Sequence, residues 1–233
     1  MLAAGALLAR HDLDKQKARS ETVEHFAFSP GGELRMTGSF GEVEIEGWNR
    51  DEIEIQITKA TRKEYSLDDL GDGQRELEQV KIRIDRPADN KVEIATEFPS
   101  RNLFTRPLRG KTNMEVKYKI RLPLAARLDI EHDIGEVNVK NVTGDHRITN
   151  RIGEVTLKLP DDNRYTIDAR ARVGEVDSDF LGSSRRQVWV GEQYTTDRAD
   201  RAYQLYLRVG IGQVNVRRLP FWTPVHLDRT VLD

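Results

Sequence analysis

Cysteine is absent from all 233 residues. That excludes disulfide frameworks, thiolate-bound zinc and cysteine nucleophiles. Apolar bulk is scarce too: 37% of residues are hydrophobic and 7% aromatic, against 33% charged. So little apolar material fills a thin interior better than a thick one, which favours a narrow stack of strands over a ball. Neither sign of charge dominates. The 37 basic and 39 acidic residues are interspersed and leave a net charge of -2. This speaks against a nucleic-acid partner, which needs a clustered basic face. Leu2 to Ala9 is apolar but too short to span a bilayer. No Gly-x-Ser-x-Gly elbow, P-loop or dinucleotide fingerprint occurs. We therefore expect no enzyme and no cofactor.

What the sequence does have is repetition. An apolar residue, Gly, an acid or amide, and Val recur in that order five times. The copies are Phe40-Gly41-Glu42-Val43, Ile134-Gly135-Glu136-Val137, Ile152-Gly153-Glu154-Val155, Val173-Gly174-Glu175-Val176 and Ile211-Gly212-Gln213-Val214. Glycines 135, 153 and 174 are 18 and 21 residues apart, and 38 residues separate 174 from 212. That longer gap has room for an eroded unit or an insertion. Upstream residues repeat as well: Leu128 and Ile130, His146 and Ile148, Ile167 and Ala169, Leu205 and Leu207.

Each unit reads as two short alternating strands around a glycine turn, where Gly tolerates a positive φ. One unit cannot bury its own apolar face, so units should lie directly on one another and line up their valines. We expect an all-β stack, a β-solenoid, with residues 126–218 forming its repeats.

Residues 22–125 carry longer alternating runs. Ile53, Ile55 and Ile57 form one, and Met114, Val116, Tyr118 and Ile120 another. Val80, Ile82 and Ile84 precede a Pro87-Ala88-Asp89-Asn90 turn, and Val92 and Ile94 follow it, which predicts a hairpin. Residues 66–79 are the plausible helical piece, entered through Ser66 and Asp69 and weakened by Gly71 and Gly73. Residues 99–112 read as a loop. Residues 1–21 read as an apolar leader and polar linker, a signal or membrane anchor cut short; the alternative is a frayed leader on a cytoplasmic protein.

The segment from Gly41 through Gly47-Trp48-Asn49-Arg50-Asp51 to Ile53, with Arg121-Leu122-Pro123 and the Gly-acid-Val units, resembles the putative-adhesin domain family of uncharacterised bacterial envelope proteins. The resemblance spans roughly residues 22–218. It implies a right-handed parallel β-helix-like fold, usually exported or membrane-tethered, in the cell envelope, periplasm or secreted space. Here Ile or Val precedes the repeat glycine where the family often has Asn, so a turn-based ligand site is not carried over.

Three features invite chemistry. Stacked in sequence order, Glu136, Glu154 and Glu175 would form a column about 4.8 Å apart. Two such carboxylates in water repel by about 0.9 kcal/mol. Arg151, Arg170, Arg172 and Arg208 would offset this repulsion, or a Ca²⁺ ion would. His132 and His146 would approach each other on adjacent coils, but none of the five histidines has metal-ligand spacing. Phe221 and Trp222, after the last repeat, read as a cap over its apolar end, or as a sugar-stacking site.

Our reading is a non-enzymatic, adhesin-like envelope or surface protein with a protein or glycan partner. A scaffold or sensor module of an envelope-stress system is the alternative, and a polysaccharide-active β-helix enzyme a weaker one. Exposed sheet edges permit self-association.

Overall fold

The computed structural model describes residues 15–97, 113–160, 165–187, 190–196 and 202–219. Its strands are β1 (Gln16–Ala27), β2 (Glu33–Trp48), β3 (Glu52–Tyr65), β4 (Lys81–Ala88), β5 (Lys91–Glu97), β6 (Met114–Pro123), β7 (Arg127–Lys140), β8 (His146–Pro160), β9 (Tyr165–Ser178), β10 (Ser183–Gln187), β11 (Gly191–Thr195) and β12 (Tyr203–Leu219). One helix, α1 (Leu70–Glu78), lies between β3 and β4. All twelve strands belong to one open, mixed sheet. Among the described residues, no helix is long and apolar enough to cross a membrane.

The expected all-β class holds. Each expected pair of short strands, however, is one continuous strand of 14 to 17 residues with the repeat glycine near its middle. The burial pattern explains how. In β7, Leu128, Ile130 and His132 are buried before Gly135, and Val137 and Val139 after it. The buried set passes from even to odd numbers, so the strand absorbs one extra residue at its glycine, as a bulge does. The extra residue lets both halves of the strand face the same interior. Val43, Val137, Val155, Val176 and Val214 are all buried in a single core that also holds Leu128, Ile130 and Leu207.

The kinks are aligned because the strands pair in parallel with glycine opposite glycine. Gly153 and Gly212 have φ of +132° and +136°. A Cβ on Gly153 would lie 1.9 Å from the Gly135 carbonyl oxygen, and one on Gly212 1.8 Å from that of Gly153. Left-handed backbone and strand contact both require glycine.

The order of stacking departs from the order of the sequence. The parallel block runs β2-β7-β8-β12-β9, so β12 is inserted between β8 and β9. Among its described residues, the 38-residue gap holds no eroded unit. It contains the β10–β11 hairpin, which extends the sheet beyond β9, and the return to β12. A regular helix of successive coils, with each unit on its sequence neighbour, is not what the sheet shows.

On the other flank, β5 pairs with the first half of β2 and β6 with the second. Together they occupy the place of one kinked strand. Beyond them the sheet turns antiparallel, with β4 on β5, β3 on β6 and β1 on β3. The β4–β5 hairpin is the one expected around residues 87–90. Lys59 anchors the end of α1 by donating to the Leu77 and Val80 carbonyls, at 3.2 and 3.3 Å. Asp69 is the N-cap, and Ser66 donates to its carboxylate at 2.8 Å. Strand β1 begins at Gln16, inside the stretch read as linker. The free edges are blunted. The pairing of β1 is irregular between Lys17 and Arg19, and β10 is short with two arginines. Residues 1–9, 99–112, Phe221 and Trp222 lie outside the described residues.

Candidate functional site

Residues alternate along a strand, so if Val137 and Val139 point inward, Glu136, Asn138 and Lys140 point outward. Pairing in register turns each outward position of the repeat into a row across the sheet. One residue after the glycine the row reads Glu42, Glu136, Glu154, Gln213, Glu175. Two residues further it reads Glu44, Asn138, Thr156, Asn215, Asp177. Two further still it reads Glu46, Lys140, Lys158, Arg217, and Arg121 of β6 joins it opposite Glu46. The half-strands after the kink therefore display an acidic row, a largely neutral hydrogen-bonding row and a basic row. Rows are about 6.7 Å apart along the strands.

Just before the glycines, Phe40, Ile134, Ile152, Ile211 and Val173 align in the same order. Ile134, Val173 and Ile211 are exposed, Ile211 by 52%. An apolar ridge thus borders the acidic row.

Energetics separate the inside of these strands from the outside. Each buried Val contributes about 1.5–3 kcal/mol, and an exposed ion pair about 0.2–1 kcal/mol. The inner files hold the sheet together, which leaves the outer rows free to vary for recognition.

The outer ion pairs are local. Lys117 bridges Glu42 and Glu44, each at 3.0 Å. Partial burial pushes the Glu44 carboxyl up, but Lys117 and its other neighbours outweigh this and hold it below its ordinary value. Lys140 meets Glu46 at 2.7 Å, and Arg121 pairs with Glu54. Arg217 bridges Asp177 and Asp179 at 2.7 and 3.0 Å. The Arg218 backbone N–H and then Arg217 hold the Asp179 carboxyl below its usual range. A depression of about 350 Å³ lies over the β6, β2, β7 and β8 part of this face, lined by Glu44, Glu46, Lys119, Arg121, Lys140 and Lys158 among others.

The interior of the kink is polar in β2, β7 and β8, whereas Val209 and Ala171 fill the same position in β12 and β9. Ser39 Oγ lies 2.7 Å from His132 Nδ1. Asn150, opposite His132, donates to the carbonyls of Gly135 at 2.9 Å and Glu154 at 3.3 Å. Burial lowers the pKa of His132 to about 4, against the opposing pull of the Gly41 backbone. His146 is buried in another file, with Nε2 3.1 Å from the Val142 carbonyl, and burial lowers it to about 4 as well. The two histidines do not meet, since His146 stands opposite Leu128 and Leu205.

The expected glutamate column changes with the strand order. Glu136 and Glu154 are neighbours, but Gln213 separates Glu154 from Glu175. Glu154 accepts hydrogen bonds from Thr156 at 2.8 Å and Asn215 at 2.7 Å. Arg151 and Arg208 pair with Asp133 and Asp168 rather than with the column. Among the described residues, no group of three or more His, Asp or Glu side chains could hold a metal ion. The repeat valines are buried in one core, but the repeat glycines kink continuous strands where the reading had turns between short ones, and the last two units exchange order. The basic row escaped that reading, although its signal is a Lys or Arg five residues after Gly135, Gly153 and Gly212.

The geometry defines a β-rich domain with an open, patterned face. Among solved structures the chain is similar to a putative cell adhesion protein from Clostridium sporogenes, with a TM-score of 0.52 and 12% identity over 88% of this chain and all of that one. A putative adhesin from Bacteroides fragilis aligns at 8% identity over 84% of this chain and 97% of its own, with a TM-score of 0.23. Another from Parabacteroides distasonis aligns at 10% identity over 84% of this chain and 70% of its own, with a TM-score of 0.22. The likeness to the Clostridium protein is one of fold. No protein-family model and no curated protein matches the chain.

Proposed function

We propose that this chain is a non-enzymatic, adhesin-like protein of the cell surface or envelope, exported or membrane-tethered, that holds a protein or glycan partner on a β-solenoid-like face. The observation that carries this reading is the set of in-register outer rows beside an exposed apolar ridge. Strand pairing alone does not call for such ordered surface chemistry, and contiguous exposed apolar residues mark interaction surfaces. The fold likeness to a protein described as a putative cell adhesion protein points the same way.

The test is attachment of the labelled, purified chain to intact cells and to arrays of glycans and proteins, alongside fractionation of the native cells. Saturable retention by a surface component and recovery from the envelope or medium are expected. Cytoplasmic recovery without retention, or release of reducing ends from polysaccharides, would sink the proposal.

A further inference from the structure

We infer that the basic row and the neutral row beside it form a subsite for a carboxylate-bearing polysaccharide lying across the strands; this deepens the adhesin-like reading and rests on it. Arg121, Glu46, Lys140, Lys158 and Arg217 occupy five adjacent strands at one level. At the usual strand spacing the row is about 19 Å long, enough for several sugars. Four of its five residues are basic. Three of these are already paired, Arg121 with Glu54, Lys140 with Glu46, and Arg217 with Asp177 and Asp179.

Not all of that charge is used internally. Lys158 is exposed and makes no ion pair among the described residues. Lys119, one row over, is exposed and acts on Glu44 only through space. Both line the 350 Å³ depression, together with Asn138 and Thr156.

The neighbouring chemistry selects among polyanions. The amides and hydroxyl of Asn138, Thr156 and Asn215 run beside the lysines at the spacing of alternate strand residues. Neutral hydrogen-bonding groups next to cations suit a polymer that carries both hydroxyls and carboxylates. A nucleic acid backbone brings phosphates but few free hydroxyls for the neutral row to bind. It would also want aromatic faces for its bases, and Trp48 at the rim is already faced by the Arg50 and Arg121 guanidiniums, 4.9 and 5.0 Å from its ring centre. An acidic peptide is better served by an unpaired sheet edge, where backbone groups are offered.

The experiment is affinity electrophoresis of the full chain through gels containing alginate, polygalacturonate, neutral galactan, poly-glutamate or single-stranded DNA. Retardation by alginate or polygalacturonate, beyond that by the other three polymers, is expected. The Lys119→Gln, Lys158→Gln double variant should keep the wild-type melting temperature and bind roughly tenfold more weakly, the loss of two exposed charge contacts. No retardation by either uronate polymer overturns the inference. Equal retardation by poly-glutamate or DNA, or unchanged binding by the double variant, overturns it as well. A chain that attaches to cells while ignoring both uronates keeps the adhesin-like reading and loses this subsite; one that does neither loses both.

Discussion

The parallel block and the antiparallel arms solve the same problem in different ways. In the block, register neighbours are the same position of a repeat, so a column holds Val43, Val137, Val155, Val214 and Val176 in turn. A glycine contact at every kink locks each strand to the next. In the arms, partners are unlike: Ile57 faces Tyr118 and Thr22, and Phe26 faces Ile53. There a short helix and a hairpin hold strands that have no kink to share. A defect in the block is therefore felt by two backbones at once, whereas one in the arms is felt by side chains that can adjust.

Substitution tests that contrast. Gly153→Ala should cost about 3 kcal/mol or more in urea denaturation, because the methyl collides with the Gly135 carbonyl at a strained φ. A loss under about 1 kcal/mol would mean that the glycine contacts do not set the stacking.

Acid should weaken the same block. His132 and His146 have folded pKa values near 4, below the unfolded value of about 6.5. The unfolded chain therefore binds more protons between these limits, and stability falls as pH drops from about 6.5 toward 4. His146→Leu, matching Leu128 and Leu205 beside it, should flatten that slope by up to about 1.4 kcal/mol per pH unit in denaturation series.

Gln213→Glu would complete a file of five carboxylates. It should cost a few tenths to about 1 kcal/mol, more at low salt, in thermal melts across ionic strength. Smallest, and opposite in sign, is Gly71→Ala in α1. A Cβ there meets nothing within 4 Å, so the variant should gain up to about 0.5 kcal/mol by the same denaturation assay.

Much of the block was readable from its residues. The Gly-acid-Val spacing marked where each strand bends, though it was read as a turn between two short strands, and the valine alternation marked the buried files. The order of the last two units was not readable, because equivalent repeats fit one another equally well. Val155 is as good a neighbour for Val176 as for Val214, so matching of apolar residues does not choose between them. Strand β1 was half missed because an edge strand such as Gln16–Ala27 needs few apolar residues; Ala18 alone is fully buried in it. The charged strand β10 gave no apolar signal at all. In the candidate site, the acidic row was seen because it adjoins the glycine motif. The basic row lies five residues away and shows itself only when the units are aligned on their glycines.

The insertion of β12 also bears on how the molecule is assembled. During synthesis β8 and β9 emerge well before β12, and each carries a matching kink and matching apolar residues. Joined in the register that each keeps with β12, they would set Gly153 against Gly174 and Val155 against Val176. The native arrangement requires that this early union be avoided or opened again, so that the latest strand can slide in as a keystone. Similarity between repeats, which makes the finished sheet regular, also makes a trap on the way to it.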